Sequence, residues 1–280
     1  MLKTRLKIEK APGCGAYMRD IDLGRIDAAQ AGELRAALFE HGVLFFRGQS
    51  LSPEQHIALA EAFGPIDVNR FFPAAPGYPM IAKVEKTAEQ TSNIGGGWHT
   101  DHSYDAEPAM GSILVARDLP PKGGDTLFAD LYAAFESLDA ETRAEIAGLR
   151  AVHGSEHVFG EAGAYAAGDQ TALVRPAGEK PETVHPVVIR HPGSGKPALY
   201  VNPGFTLRFE GMSTEASRPL LTRLYAHAIH QSRVHRFVWE PGSVAIWDNR
   251  ASWHFALNDY QGCYRLMHRI TMAGEALAAA

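Results

Sequence analysis

Gly95-Gly96-Gly97-Trp98-His99-Thr100-Asp101-His102 is the stretch on which the reading of this chain turns. It reads as a short strand leaving a glycine-rich loop. On a strand, side chains two apart share a face, so His99 and Asp101 project together while Thr100 points away. An imidazole beside a carboxylate supplies two ligands for a divalent metal. Two histidines and one carboxylate on one face of a first-row metal, with open positions opposite, form the arrangement used by non-haem Fe(II) oxygenases. A lone His-x-Asp triplet equally fits a hydrogen-bonded pair at a strand end. The metal reading therefore needs a second histidine in suitable company.

The whole chain sets bounds on what that site can serve. Its 280 residues, 45% hydrophobic and 21% charged, have ample apolar content for a core, and no domain boundary stands out, so one domain over 1–280 is expected. A formal net charge of −5 gives no basic footprint, which argues against a nucleic-acid partner. Cys14 and Cys263 are too few for a disulfide framework and fit a reducing compartment. Residues 1–10 mix Leu and Ile with charge and contain no apolar h-region, so no signal peptide is expected. No apolar run approaches the ~18 residues of a membrane span. The expectation is a soluble, cytoplasmic protein with no membrane partner.

Outward from the anchor, the pattern is of many short strands with helices early and midway. Residues 2–9 alternate as an edge strand. Asp27 and Gln30 form a capping box for a helix that Gly42 can end, and Val43-Leu44-Phe45-Phe46 reads as a buried strand. Ser52-Pro53-Glu54-Gln55 starts a second helix running to about Phe63. Residues 67–79 are aromatic and proline-rich, a loop. Strands are expected at 80–84, 111–117, 126–128, 187–190, 198–202, 206–209, 234–239, 243–247 and 265–272, with helical patches at 131–137 and 140–149. Residues 157–182 lack periodicity and suit a lid or binding loop. Pro219 is awkward for a helix beginning at Ser213, so a late start or a kink is expected there. These elements spell a β-sandwich or jelly-roll barrel with helical additions.

The second histidine has its company near the end of the chain. Ile246-Trp247-Asp248-Asn249-Arg250 closes one strand, and Trp253-His254-Phe255 begins the next ordered piece. On a strand over 265–272, Arg265, Met267 and Arg269 share one face and His268 takes the other. Two guanidinium groups on the inward face of a barrel strand are costly without anionic partners. Bidentate pairing with a carboxylate, sulfonate or phosphate is the natural remedy, and a core Asp or Glu is the alternative partner.

Together, Trp98-His99-Thr100-Asp101, Gly123-Gly124-Asp125-Thr126, Ile246-Trp247-Asp248-Asn249-Arg250 and His254 with Arg265 and Arg269 resemble the taurine dioxygenase/2,4-dichlorophenoxyacetate dioxygenase (TauD/TfdA) family. Members are oxygenases dependent on Fe(II) and 2-oxoglutarate. The resemblance runs almost end to end and implies a double-stranded β-helix (jelly roll), mainly β with helical additions. It implies that His99, Asp101 and His254 hold Fe(II), and that Thr126 and Arg265 anchor the distal carboxylate of 2-oxoglutarate, with O2 as the oxidant. Arg269 matches the arginine that binds the acidic group of a small anionic substrate. Phe159 and Phe205 match aromatic positions lining the pocket of the taurine enzyme. The polar readers of taurine do not carry over: the family histidine falls at Asn69, its tyrosine partner at Phe72 and its asparagine at Gly95. An alkyl sulfonate, a sulfate ester or an aryloxyalkanoate fits that pattern better than taurine. His102, expected to point away from the metal on a regular strand, is either a pocket residue or a surface or interface histidine; Tyr104 either closes the mouth of the site or packs, and Trp247 and Trp253 are read as core walls. The resemblance further implies a homo-oligomer, a dimer or tetramer.

Two other classes compete. A zinc hydrolase on the same three ligands also keeps an open water position, but has no use for Arg265 and Thr126. A non-catalytic 2-oxoglutarate sensor would keep every ligand and release no product.

Overall fold

The uninterrupted apolar run 43–46 shows how the layers are built. In the computed structural model, which describes residues 6–166, 168–169, 173 and 182–280, all four of its residues are fully buried. Leu44 and Phe46 face the helices Ala28–His41 and Pro53–Phe63, in a core with Leu34, Leu38, Leu59 and Phe63. Val43 and Phe45 face the other way, into a core with Phe128, Phe237, Trp247 and Met267. A strand covered on both faces is what a run without polar alternation codes for. Strand Val244–Asp248 divides in the same way, Val244 and Ile246 against Ala245 and Trp247.

These strands belong to a nine-stranded sheet. From its edge it runs Lys7–Lys10, Ala16–Arg19, Val43–Phe46, Val244–Asp248, Gly111–Asp118, Arg265–Met272, Tyr78–Lys86 and Ala74–Ala75, with Ile66–Asp67 also paired to Arg265–Met272. Pairing is antiparallel except between Ala16–Arg19 and Val43–Phe46. A smaller sheet, Val234–Phe237, Thr126–Asp130 and Ser252–Ala256, contributes Phe128 and Phe237 to the shared inner core. Strands Thr183–Pro186, Arg150–His153 and Thr206–Phe209 form a third, and Val188–Arg190 pairs with Pro197–Leu199. The result is the jelly roll with helical additions that the sequence implies.

The expected elements recur with small shifts. Both capping boxes form, Asp27 with Gln30 and Ser52 with Gln55, and Gly42 ends the first helix at φ 72°. The edge strand comes at Lys7–Lys10, and the 67–79 loop holds the two-residue strand Ala74–Ala75. Strands Arg150–His153 and Thr183–Pro186 were not expected. The helix with Pro219 does not start late: it runs Thr214–Ala228 from the Ser213 cap. Proline there removes one helical donor, but the Ser213 cap and the burial of Leu220, Leu221 and Leu224 keep the first turns in place. The lid expected over 157–182 falls partly outside the described residues; within them, Glu156–Phe159 makes one helical turn.

Candidate active site

The two halves of the proposed metal site meet through their backbones. His99 N donates to His254 O at 3.1 Å and His254 N to His99 O at 2.9 Å, a single antiparallel bridge. The strand expected at 98–102 is not formed. His99 holds only that bridge, and Asp101 and His102 lie in a turn, His102 with φ 58°. The turn forms because Asn249, in the 246–250 motif, takes hold of this segment. Thr100 Oγ1 donates to Asn249 O at 2.5 Å, and Asp101 N approaches Asn249 Oδ1 at 3.4 Å. Asn249 Oδ1 also accepts from Trp247 Nε1, and its Nδ2 donates to Ala109 O. Behind it, buried Arg250 forks onto Asp248 at 2.9 and 2.7 Å, and His191 bonds the same carboxylate at 2.9 Å.

Three side chains converge inside the barrel. The Nε2 atoms of His99 and His254 each lie 3.6 Å from an oxygen of Asp101, and candidate ligand atoms of all three lie within 4.8 Å of one another. At 3.6 Å these groups do not hydrogen-bond to each other. They leave a gap ringed by lone pairs, which fits a divalent cation. His99 Nδ1 lies 2.8 Å from Gly97 O, so a proton held there leaves Nε2 free to ligate. Burial, and then the neighbouring His99, hold His254 well below the usual histidine range, so it stays neutral as a ligand must. Burial alone would raise the Asp101 carboxyl, but the Arg269 guanidinium holds it well below the carboxylate range. Trp247 packs 4.8 Å from the His254 ring.

Both arginines of strand Arg265–Met272 face inward, with Met267, as the alternation requires. Their partners differ. Arg269 donates from Nη2 to Asp101 Oδ2 at 2.8 Å and from Nε to Ser112 Oγ at 3.0 Å. Its core-acid partner is thus the candidate metal ligand itself. Arg265 is 6% exposed, and its Nε and Nη2 have no partner. Burial lowers its pKa, with Tyr260 and Asp125 opposing. Gly124, at φ 71°, passes where any Cβ would lie 3.1 Å from Arg265 Cδ, and Gly123, at φ 83°, where one would lie 2.7 Å from Asp259 O. Thr126 is buried beside this space, its hydroxyl accepting from Trp239 Nε1 at 3.0 Å.

His99, Asp101, His254, Thr126, Arg265 and Arg269 line one cavity of about 490 Å³. Its far wall is aromatic: Phe71 stacks on Phe159 at 4.2 Å, and Tyr104 meets Phe205 edge-on at 4.7 Å. Tyr104 is therefore packed into that wall. Phe72 lies 6.0 Å from the Arg269 guanidinium. Asn69 Oδ1 accepts from the amides of Phe71 and Phe72, so the carboxamide oxygen is already committed. Tyr165 accepts the Gly95 N–H at 3.0 Å, and a Cβ at Gly95 would lie 3.3 Å from the His99 ring, so a side chain there would press on the candidate metal ligand. His102 does not point out to solvent. It is 3% exposed, lines the cavity and holds Asp105 at 3.1 Å through Nδ1. Trp253 belongs to a different core from Trp247. The sequence reading assigned no role to Asn249, Lys86 or Tyr165. Lys86 falls opposite Arg265 only once the strands pair, which its own neighbours in sequence do not announce.

Comparison with known proteins agrees with this geometry. The family described as "Taurine catabolism dioxygenase TauD, TfdA family" matches residues 7–271. An "Alkylsulfatase" of Acinetobacter baylyi is 35% identical, over 99% of this chain and 87% of its own length. An "Alpha-ketoglutarate-dependent sulfate ester dioxygenase" of Pseudomonas putida is 34% identical, over 93% of this chain and 87% of its own length. Among solved structures, a taurine dioxygenase from Burkholderia xenovorans superposes with a TM-score of 0.81 at 32% identity, covering 98% of this chain and 93% of that one.

Proposed function

This chain belongs to the TauD/TfdA family of dioxygenases, and we propose that His99, Asp101 and His254 hold its Fe(II) while Arg265 and Thr126 anchor 2-oxoglutarate. It is an Fe(II)- and 2-oxoglutarate-dependent dioxygenase, an oxidoreductase that consumes O2 and acts on a small anionic substrate. The single observation carrying the residue assignment is a His/Asp/His cluster sharing one cavity with a buried guanidinium whose Nε and Nη2 have no partner. A zinc hydrolase needs the first and has no use for the second.

The chemistry supplied by the metal when bound is oxidative: decarboxylation of 2-oxoglutarate to succinate and CO2 is coupled to hydroxylation of a substrate carbon. The protein's own work is placement and exclusion. Arg265 selects a dicarboxylic oxo acid, because its planar fork matches a carboxylate and is desolvated while it waits. Arg269 spends one edge on Asp101. An anionic group taken by the remaining edge is thereby set next to the metal carboxylate, and the carbon adjoining that group is presented for oxidation. If that carbon bears the oxygen of a sulfate ester, the hydroxylated product collapses to a carbonyl compound and free sulfate. Phe71, Phe72, Phe159, Phe205 and Tyr104 enclose an apolar body. Asn69, Phe72 and Gly95 offer little to read the ammonium of taurine, so alkyl sulfates, alkyl sulfonates or aryloxyalkanoates are the substrate class we assign. His102 serves as a wall of this pocket, tied back by Asp105.

The whole chain, 1–280, acts as one dioxygenase domain in this reading, in the cytoplasm and as a dimer or tetramer; light scattering on the purified protein tests the assembly. Among the described residues no helix is long and apolar enough to cross a membrane. The decisive experiment is an anaerobic titration. Fe(II) plus 2-oxoglutarate gives a visible charge-transfer band, and admitting O2 with a panel of sulfate esters, sulfonates and aryloxy acids releases succinate. Metal binding without band or succinate overturns the assignment in favour of a hydrolase; a band without succinate on any substrate favours a sensor.

A further inference from the structure

Lys86 is 3% exposed, its ammonium lacks a hydrogen-bond partner, and it lines the same cavity as the metal cluster. It ends strand Tyr78–Lys86 directly opposite Arg265. Residues directly opposite in an antiparallel pair project to the same face, so both cations enter the cavity at one end. Tyr260 marks that end for both. The Lys86 Nζ lies 4.7 Å from its ring centroid, and the ring closes with Arg265 around Gly124.

The neighbouring acids are already committed. Glu85 accepts from Tyr264 and pairs with Lys83, and Asp125 and Asp259 are held by Arg236. Among the described residues, then, no hydrogen bond or ion pair answers the Lys86 ammonium or the Nε and Nη2 of Arg265, and Asp125, whose charge opposes the burial of Arg265, is itself held by Arg236. A tyrosine face offsets only part of the cost of taking an ammonium out of water. A counter-ion taken from solution is a natural remedy for such a pair.

We propose that Lys86 is a second cosubstrate-reading residue, pairing with Arg265 to bind the distal carboxylate of 2-oxoglutarate. This rests on the assignment of Arg265 above and deepens it. The guanidinium forks one side of the carboxylate while the ammonium, a point charge on a flexible stem, closes the other. The chamber then rejects oxo acids without a distal anion more strongly than one arginine would.

The test is equilibrium binding by calorimetry to the Mn(II)-loaded protein, with 2-oxoglutarate and with 2-oxopentanoate, which lacks the distal carboxylate. Lys86→Met is expected to weaken 2-oxoglutarate at least tenfold, to leave 2-oxopentanoate within twofold, and to raise the melting temperature of the ligand-free protein, because an unanswered buried charge is gone. Lys86→Arg should restore part of the 2-oxoglutarate affinity. If Arg265→Met loses 2-oxoglutarate and Lys86→Met keeps it, the role of Lys86 is overturned while the function stands. If neither variant changes binding, both assignments fall.

Discussion

Arg269 Nη2 lies 2.8 Å from Asp101 Oδ2, so the arginine assigned to the substrate is also the counter-ion of the carboxylate assigned to the metal. Both groups are buried. Truncating one partner of such a pair costs about 2–5 kcal/mol. Arg269→Ala removes that counter-ion whichever substrate is bound and, for an anionic substrate, the partner of its charged group as well, so kcat/KM should fall for both and by about tenfold or more further for the anionic substrate than for a neutral analogue of the same shape. Succinate release across matched anionic and neutral substrates measures this, and equal losses on both would refute the assignment.

Asn249 ties the metal turn to the barrel through Thr100, Asp101, Trp247 and Ala109. It touches no ligand side chain, so its effect is on placement. Asn249→Ala leaves a buried indole N–H and a carbonyl without partners, about 1–3 kcal/mol each in desolvation. Stability should fall by about that much. Supporting groups around a metal are worth about 10- to 100-fold in affinity, and Fe(II) or Mn(II) affinity should drop within that range. His254→Ala, which removes a ligand, should lose more. Metal titrations of the three proteins give the order, and an Asn249→Ala protein with wild-type metal affinity would contradict the bracing role.

How much of this was legible beforehand follows from what each signal depends on. Caps and two-sided burial are local, so Asp27, Ser52 and the run 43–46 announced their elements directly. The alternation of Arg265, Met267 and Arg269 held because strand 265–272 pairs residue for residue with Tyr78–Lys86 over that span, although its pairing with Gly111–Asp118 shifts register between Leu266 and Met267. The strand assumed at 98–102 failed because its conformation is dictated from Asn249, about 150 residues away, and not by its own residues. Arg269 could be seen to need an anion, but whether that anion was Asp101, a substrate or both depends on a contact across 168 residues. Lys86 drew no notice because it lies past the strand expected at 80–84, where a lysine is ordinarily solvated; only pairing with strand 265–272 buries it.

Gly124 carries a second constraint that the spacing of the 123–126 motif does not reveal. Its φ of 71° is disfavoured for a side chain, and an added Cβ would press on Arg265 Cδ at 3.1 Å and Tyr260 at 3.3 Å. Gly124→Ala should cost about 1–3 kcal/mol in backbone strain. It should also raise the 2-oxoglutarate dissociation constant several-fold by moving the guanidinium, with metal affinity unchanged. Calorimetry separates the two. A variant that loses stability yet binds 2-oxoglutarate normally would show that Arg265 has slack.

His56, fully buried in the helix Pro53–Phe63, links the fold to pH. Burial, with Arg117 nearby, pulls its pKa down to about 3. In the unfolded chain it titrates near 6.5, so between those values the unfolded state binds the extra proton. Stability from keeping His56 neutral is therefore complete above about pH 6.5 and drains as pH falls towards 3. By pH 5 the loss amounts to about 2 kcal/mol from this residue alone. His56→Met, similar in size and unable to ionise, should remove that share of the acid sensitivity, whatever its effect at pH 7.5. Urea unfolding at pH 7.5 and pH 5.0 reads the difference. If the variant loses as much stability between the two as the parent does, the acid limb belongs to other groups, such as buried His153, which is held near 3 by the same cause.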